Sequence, residues 1–225
     1  MKTFNELVGK NIEVEISGGK FHSGTMVDSG LDILVLYVGR SQRFLYIPAV
    51  HIQRVKEVTM EQNSIVYEPP TEKPIEPDSL SISFRGILTS AKGRFVEVYV
   101  TGNKSIHGYL TSIMNNHFVF YSPVFKTVFI SMDHVKWLIP YPEHSAPYSI
   151  INQTLPAAPA SIPLARSFED QCKKLENHLV VIDGGDSSEK IGLLQKVLNS
   201  QLTLVTAERE IVYRNLKHVK TIHFT

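Results

Sequence analysis

Apolar and polar residues alternate most clearly in the middle of the chain. Valines occupy every second position of residues 95–100, so they lie on one face of a strand. Apolar runs at 117–121 and 127–130 predict two further strands, and short turns separate these segments. The intervening strand carries Gly108, and a glycine inside a strand is typical of a sharp bend. Five short strands within about 50 residues predict a small, strongly bent barrel.

Helical patterns precede the strand-rich regions. The clearest spans residues 167–176, where Ser167 can cap the N-terminus and Asp170 completes a variant of the capping box. Its apolar face consists of Phe168, Cys172 and Leu175. A shorter helix is predicted at 3–7, and the pattern at 84–90 is ambiguous. A short helix is therefore expected before each group of strands.

Three parts of the chain resemble one another. Successive glycines at the bend position lie 84 residues apart, and a histidine followed by valine or isoleucine comes 26 or 27 residues after each. The glycines are Gly24, Gly108 and Gly192, and the histidines are His51, His134 and His218. A match at this many positions indicates internal triplication. Because the period is long, the pattern predicts three small domains rather than a solenoid.

Proline divides the chain into segments. Ten of the twelve prolines lie in two stretches, where the missing backbone donor excludes an interior strand or helix. The first stretch carries five acidic residues against one lysine, and the second should be extended and semi-rigid. The predicted organisation is a first repeat at 1–58, an acidic Pro-rich linker at 59–83, a second repeat at 84–139, a Pro/Ala-rich linker at 140–166 and a third repeat at 167–225.

The predicted helix and five bent strands, with a glycine in the second strand, resemble the Sm-like fold. In the first repeat, residues 7–16, 18–21 and 23–26 look like the first Sm motif. The ending of each repeat, around its histidine, is similar to the N-terminal region of Bacillus spore coat protein B and to small spore-formation proteins. The resemblance implies a mainly β protein of three tandem five-stranded Sm-like barrels, each with a short N-terminal helix, joined by Pro-rich linkers.

The Sm-like resemblance implies RNA binding as one function. That family places an Arg-Gly or Lys-Gly pair near the end of the fourth strand, and the matching residues 44–48, 128–131 and 211–215 contain no such pair. The formal net charge is +1 and only the second repeat is mildly basic, whereas phosphate binding needs a concentrated basic face. RNA is therefore the less favoured partner. The side chains that could contact a partner or RNA are Tyr46, Phe129, Tyr213, Arg94, Lys104 and Lys126.

Few residue patterns point to catalysis or metal binding. The three repeat histidines suit zinc if the repeats meet around a pseudo-threefold axis. The simpler expectation is that each histidine holds the turn before the last strand by bonding backbone groups. The single cysteine excludes an internal disulfide, and the place of Cys172 on an apolar helix face favours a core position over a nucleophile. We predict no catalytic, cofactor-binding or metal-binding residues and no enzymatic activity.

The preferred interpretation is a structural or interaction protein whose barrels offer sheet edges to other proteins. The resemblance implies a spore coat component, made in the mother-cell cytoplasm and assembled with other coat proteins on the forespore surface. No apolar run approaches the roughly 18 residues that span a bilayer, and the N-terminus lacks the apolar core of a secretion signal. Self-association through sheet edges is a further expectation. The alternative is an Sm-like RNA-binding protein that acts as a pseudo-trimeric ring or half-ring.

Overall fold

A computed structural model shows a mainly β protein. It describes residues 4–59, 67–77, 81–101, 104–143, 145–149 and 162–224. Fifteen strands and two short α-helices lie in these residues, and all of the strand pairs found there are antiparallel. The predicted strand-rich architecture is therefore confirmed.

Five strands follow one another in each predicted repeat. Those of the first repeat are β1 (Asn11–Ile16), β2 (Lys20–Ser29), β3 (Ile33–Val38), β4 (Arg43–Pro48) and β5 (Ile52–Glu57). The second repeat has α1 (Phe84–Ser90), β6 (Phe95–Thr101), β7 (Lys104–Ile113), β8 (His117–Ser122), β9 (Lys126–Ser131) and β10 (Trp137–Pro140). The third has α2 (Phe168–Lys173), β11 (Leu179–Ile182), β12 (Ile191–Leu198), β13 (Gln201–Val205), β14 (Ile211–Asn215) and β15 (Thr221–Phe224).

The chain divides into two compact units. One contains Met1–Ile106 and Lys136–Ser149, and the other contains His107–Val135 and Ile150–Thr225. The second repeat is therefore shared, because its two ends belong to the first unit and its middle to the second. The division of the chain into three repeats and two linkers stays a prediction, whereas the division observed in the structure is into these two units.

The first unit is built on strands in the order β6-β10-β4-β3-β2-β1-β5. Alternate side chains of β1 are buried, and these are Ile12, Val14 and Ile16. The same alternation buries Val96 and Val98 in β6, as the valine pattern predicts.

The second unit has the strand order β14-β13-β12-β11-β15-β9-β8-β7. Its core contains residues of α2 and of the third repeat's strands, including Cys172, Val180 and Leu204. Burial strongly raises the pKa of the Cys172 thiol. Cys172 therefore packs as a small apolar side chain, as its place on the helix face predicts.

The small barrels that the sequence predicts are not closed by strand pairing in the described residues. Among the strand pairs of the described residues, β4 pairs with β3 and β10, while β5 pairs with β1. In the third repeat, β14 pairs with β13, and β15 pairs with β11 and β9. Among the described residues, the fourth and fifth strands of a repeat do not pair with each other. At each contact between repeats, the fourth strand of one repeat pairs instead with the fifth strand of the next.

Both helices begin at a serine cap. Ser167 Oγ accepts a hydrogen bond from the Asp170 N–H at 3.1 Å, and Ser83 Oγ accepts one from the Gly86 N–H at 3.1 Å. The capping box differs from expectation, because the Asp170 carboxylate accepts a bond from the Ser167 hydroxyl at 2.6 Å. Residues 84–90, whose sequence pattern is ambiguous, form the helix α1. Within the described ranges, no helix combines the length and apolarity needed to cross a bilayer.

The three repeat glycines occupy equivalent places. A Cβ atom on Gly24 would lie 2.1 Å from the carbonyl oxygen of Tyr37, in the third strand of the repeat. The corresponding distances are 1.9 Å for Gly108 and 2.4 Å for Gly192, each to the carbonyl oxygen at the equivalent position of its third strand. Only glycine allows such a close approach of two backbones.

The acidic stretch predicted as a linker packs onto the first unit where it is described. Ile75 is buried, and its N–H and C=O both bond to the Tyr46 hydroxyl, at 3.1 and 2.9 Å. Lys73 forms an ion pair with Asp28 of β2. Residues 67–77 are therefore more than a spacer.

Little of the second proline-rich stretch is described. At its end, the Ala165 N–H donates to Gln171 Oε1 at 2.7 Å, and the Arg166 carbonyl accepts from the Asn115 N–H at 3.0 Å. Most of the extended run expected at 155–163 lies outside the described residues.

Candidate protein-interaction edges

The first joint between repeats pairs the fourth strand of one repeat with the fifth strand of the next. Within the first unit, β4 pairs with β10, and Tyr46 lies opposite Leu138. Both side chains are fully buried. In sequence, Tyr46 stands five residues before His51, and Leu138 stands four residues after His134.

The second joint repeats this arrangement within the second unit. There β9 pairs with β15, and Phe129 lies opposite Ile222. Phe129 stands five residues before its repeat histidine and Ile222 four residues after His218, so the two joints have the same register. Both side chains are again fully buried. The Ser131 N–H also donates to the Lys220 carbonyl at 2.9 Å.

A second contact also recurs at both joints. Asp32 Oδ1, in the turn before β3, accepts a hydrogen bond from the Phe84 N–H at 2.9 Å. Asn116 Oδ1, at the equivalent turn before β8, accepts one from the Phe168 N–H at 2.8 Å. Each donor is the first residue of the next repeat's helix, so a side chain of one repeat holds the helix of the next.

Neighbouring repeats complete each other's cores. The first unit's core includes Tyr99, Trp137 and Ile139 of the second repeat, and the Tyr99 and Trp137 rings stack with centroids 3.9 Å apart. The second unit's core combines Phe129 of the second repeat with Phe168 of the third. A repeat separated from its neighbours would therefore expose apolar surface.

Two strands stand at the ends of the observed strand orders, each with one edge unpaired among the described residues. These are β5 in the first unit and β14 in the second. On β14, Ile211 is 57% exposed and Tyr213 is 63% exposed. On β5, Val55 is half-buried between two exposed cations, Arg54 and Lys56. We call β5 and β14 the outer edges.

The two arginines on the outer edges already have carboxylate partners in their own repeats. Arg54 lies 3.0 Å from a Glu15 oxygen and 3.2 Å from a Glu13 oxygen, and the hydrogen bond that Arg54 donates to Glu15 raises the pKa of Arg54. On β14, Arg214 lies 3.3 Å from a Glu189 oxygen. These arginines therefore add little uncompensated positive charge to the outer edges.

The aromatic contact candidates have different surroundings. Tyr46 and Phe129 are fully buried, which removes both from any surface that contacts a partner or an RNA base. Burial raises the pKa of the Tyr46 phenol. Tyr213 is exposed and remains a contact candidate.

The two basic contact candidates whose side chains are described each bond within their own unit. Arg94 donates to the Pro74 carbonyl at 2.7 Å and lies 3.9 Å from Glu143 in the first unit. Lys126 belongs to the second unit and donates to the Pro123 carbonyl at 3.2 Å. The side chain of Lys104 lies outside the described part of the chain.

Each repeat histidine ends the short 3-10 turn before its fifth strand. His51 Nδ1 lies 3.1 Å from Ser17 Oγ, and His134 Nε2 donates to the Lys217 carbonyl at 2.9 Å. His218 is exposed. The His51 contact is to a side chain and the His134 contact is to the turn of the next repeat, so the turn-holding role stays a prediction. In the described ranges, no three His, Cys, Asp or Glu side chains gather as a metal site.

Two features of the joints are absent from our sequence-based predictions. The helix-holding pair Asp32 and Asn116 was detectable, because the two residues lie 84 positions apart, like the repeat glycines. His117 was also missed. It is fully buried, with its ring 6.3 Å from that of Phe129 and 5.8 Å from that of Phe168. Burial lowers the pKa of His117 to about 4.

The chain is similar to a known protein over nearly its whole length. A family model described as the YwrJ third domain matches residues 167–222, inside the predicted third repeat. The protein YwrJ of Bacillus subtilis strain 168, which is uncharacterised, is 43% identical over 227 residues, covering 99% of each chain. Similarity of this extent over the full length shows that the chain belongs to the YwrJ family.

Proposed function

We propose that the protein is a non-enzymatic structural protein that binds other proteins through the edges of its sheets, as a component of the spore coat. One observation carries this proposal: adjacent repeats are joined by strand pairing in one register at both joints, Tyr46 with Leu138 and Phe129 with Ile222. Strand addition is thus how this chain already makes contacts, and strand edges are common docking places for partner proteins.

The outer edges fit this role. Ile211 and Tyr213 leave more than half of their surface in water, on a strand with an unpaired edge in the described residues. An exposed aromatic or β-branched side chain on an edge strand favours pairing with another strand.

The finer architecture belongs to the same proposal. Each repeat is Sm-like, with a fifth-first-second-third-fourth strand order visible in the first and third repeats and a glycine where two strands approach closely. The Bacillus relative and the resemblance to spore coat protein B support the coat as location, with synthesis in the mother cell. RNA binding has less support, because Tyr46 and Phe129 are buried and Arg94 faces Glu143.

Localisation in sporulating Bacillus tests the proposal. A fluorescent fusion of the full chain should form a shell around the forespore and stay with the extracted coat fraction. Tyr213→Asp should reduce this retention, whereas Val124→Asp, at a 55% exposed site in the turn before β9, should leave it unchanged. Diffuse fluorescence in the mother cell, or release of the fusion by ribonuclease, would contradict a coat function.

A further inference from the structure

We propose that the third repeat binds a proline-containing segment of another protein on one face of its sheet. An acidic residue of that segment pairs with Lys196, and an apolar residue two positions later lies against Tyr213. The inference goes beyond the proposed function, because this surface is a sheet face and not a strand edge. The first two repeats provide the precedent.

A row of three side chains crosses the second, third and fourth strands of each repeat. The members of a row lie directly opposite one another, so their side chains share one face of the sheet. The rows are Asp28, Val35 and Tyr46 in the first repeat, Ser112, Val119 and Phe129 in the second, and Lys196, Thr203 and Tyr213 in the third.

In the first repeat, a proline-containing segment of this chain lies along the row. Lys73 forms an ion pair with Asp28 at one end. At the other end, the Tyr46 hydroxyl accepts a hydrogen bond from the Ile75 N–H at 3.1 Å and donates one to the Ile75 carbonyl at 2.9 Å. The proline between these two contacts favours an extended backbone. One side chain of the row thus binds the charge of the segment, and another binds its backbone.

The second repeat also has a proline-containing segment beside its row. Ile162 and Leu164 flank Pro163, and both pack against the core that contains Val119 and Phe129. In two of the three repeats, an apolar residue next to a proline therefore packs where the row lies.

The row of the third repeat is open to water and carries the opposite charge. Tyr213 is exposed and has the same hydroxyl as Tyr46. Lys196 is also exposed, and it stands where the first repeat has Asp28. A segment that binds here in the same way should therefore carry an acidic residue in place of Lys73.

Apolar side chains border this row on the same face. Leu193, Val205 and Ile211 lie opposite one another on three strands, and Leu193 and Ile211 are exposed. In the first repeat, Tyr37 and Phe44 occupy the positions of Val205 and Ile211, and both are buried. A contiguous exposed apolar patch is typical of a binding surface.

The sequence indicates that the occupant is a different protein. The required tripeptide is an acidic residue, a proline and an apolar residue. None of the 12 prolines of this chain stands in such a tripeptide. A second copy of the chain therefore does not supply the segment.

Peptide titration of the purified full-length protein tests the inference. The probe is a fluorescent peptide of residues 69–77 with Lys73→Glu, and the matched control is the same peptide with the native lysine. We expect the glutamate peptide to bind with a Kd on the order of 0.1 mM. The lysine peptide should bind about threefold more weakly or less, because an exposed ion pair contributes modestly. Fluorescence anisotropy measures both.

Two variants assign the binding to the row. Tyr213→Phe keeps the ring and the backbone edge of β14 but removes the hydroxyl, so it should weaken binding of the glutamate peptide by about fivefold. Lys196→Glu should reverse the preference, so that the lysine peptide binds more tightly. Val124→Asp, which changes the charge elsewhere, should leave the preference as it is.

Three results overturn the inference. One is that neither peptide binds below about 1 mM, the range of very weak association. The others are an unchanged preference in Lys196→Glu, which indicates attraction to the protein as a whole, and unchanged affinity in Tyr213→Phe.

The two proposals can fail separately. If the peptides do not bind while the fusion still joins the forespore coat, the binding face is wrong and the coat function stands. If the peptides bind as expected while the fusion stays diffuse in sporulating cells, the binding face stands and the coat function is wrong.

Discussion

The fourth strands of the three repeats differ sharply in burial. Tyr46 and Phe129 are fully buried, whereas the equivalent Tyr213 is 63% exposed. The first two lie beside β10 and β15, and Tyr213 has no such strand beside it among the described residues. Burial at this position is thus determined by the neighbouring repeat rather than by the strand's own sequence.

The fifth strands show the complementary difference. Leu138 and Ile222 are fully buried, while Val55 on β5 is only half-buried. Arg54 and Lys56 flank Val55 and are exposed. Charges on an edge strand limit indiscriminate pairing. The edges that pair with a neighbouring repeat are therefore part of the core, whereas the outer edges are exposed surfaces.

The largest predicted effect is a difference in stability between two equivalent sites. One site is on an edge that pairs with the neighbouring repeat, and the other is on an outer edge. Phe129→Ala removes a core ring and should lower the free energy of unfolding by about 3–5 kcal/mol. Tyr213→Ala, at the equivalent exposed site, should change it by no more than about 0.5 kcal/mol. Urea unfolding followed by circular dichroism, at a protein concentration where sedimentation shows a monomer, measures both. Equal losses for the two variants would show that the position of the side chain within its repeat, and not the neighbouring strand, determines how much the side chain contributes to stability.

The sequence predicted much of each repeat and little of how repeats join. Strand alternation, the glycine at a close backbone approach and the Ser167 cap are local patterns, so they could be identified directly. The burial of Tyr46 depends on Leu138, which is 92 residues away, and on Ile75 in a stretch predicted as a linker. Such long-range pairing leaves no periodic signal, although the apolar Ile75 among prolines and acids was a local hint.

Acid should weaken the second joint. His117 lies between Phe129 and Phe168, which belong to the two repeats that meet there, and burial lowers its pKa to about 4 from an ordinary 6.5. Below pH 6.5 the unfolded chain takes up a proton that the folded chain cannot hold. Stability is therefore complete above pH 6.5 and falls by about 3 kcal/mol as the pH decreases to about 4.

Replacing His117 separates its contribution to the pH dependence of stability from the contributions of other histidines. His117→Ile introduces the residue found at the equivalent position of the first repeat, Ile33, and should remove most of this pH dependence. Some slope should remain, because burial also lowers the pKa values of His134 and His223. The exposed His218 gives the control, and His218→Ala should keep the full slope. Urea unfolding at several pH values measures the effect, and an unchanged slope in His117→Ile would rule out this origin.

The smallest expected effect concerns the side chain that holds the next repeat's helix. Asn116→Ala removes the acceptor of the Phe168 N–H and should lower the free energy of unfolding by about 1 kcal/mol. Asn116→Asp should keep nearly all of the stability, because Asp32 makes the same contact to Phe84 at the first joint. A carboxylate is also favourable near the start of a helix. Hydrogen exchange of the Phe168 amide gives a local readout, since its protection should fall in the alanine variant and persist in the aspartate variant. If both variants lose protection equally, the helix is held by its apolar face alone, and the recurrence of this hydrogen bond at the two joints contributes nothing to joining the repeats.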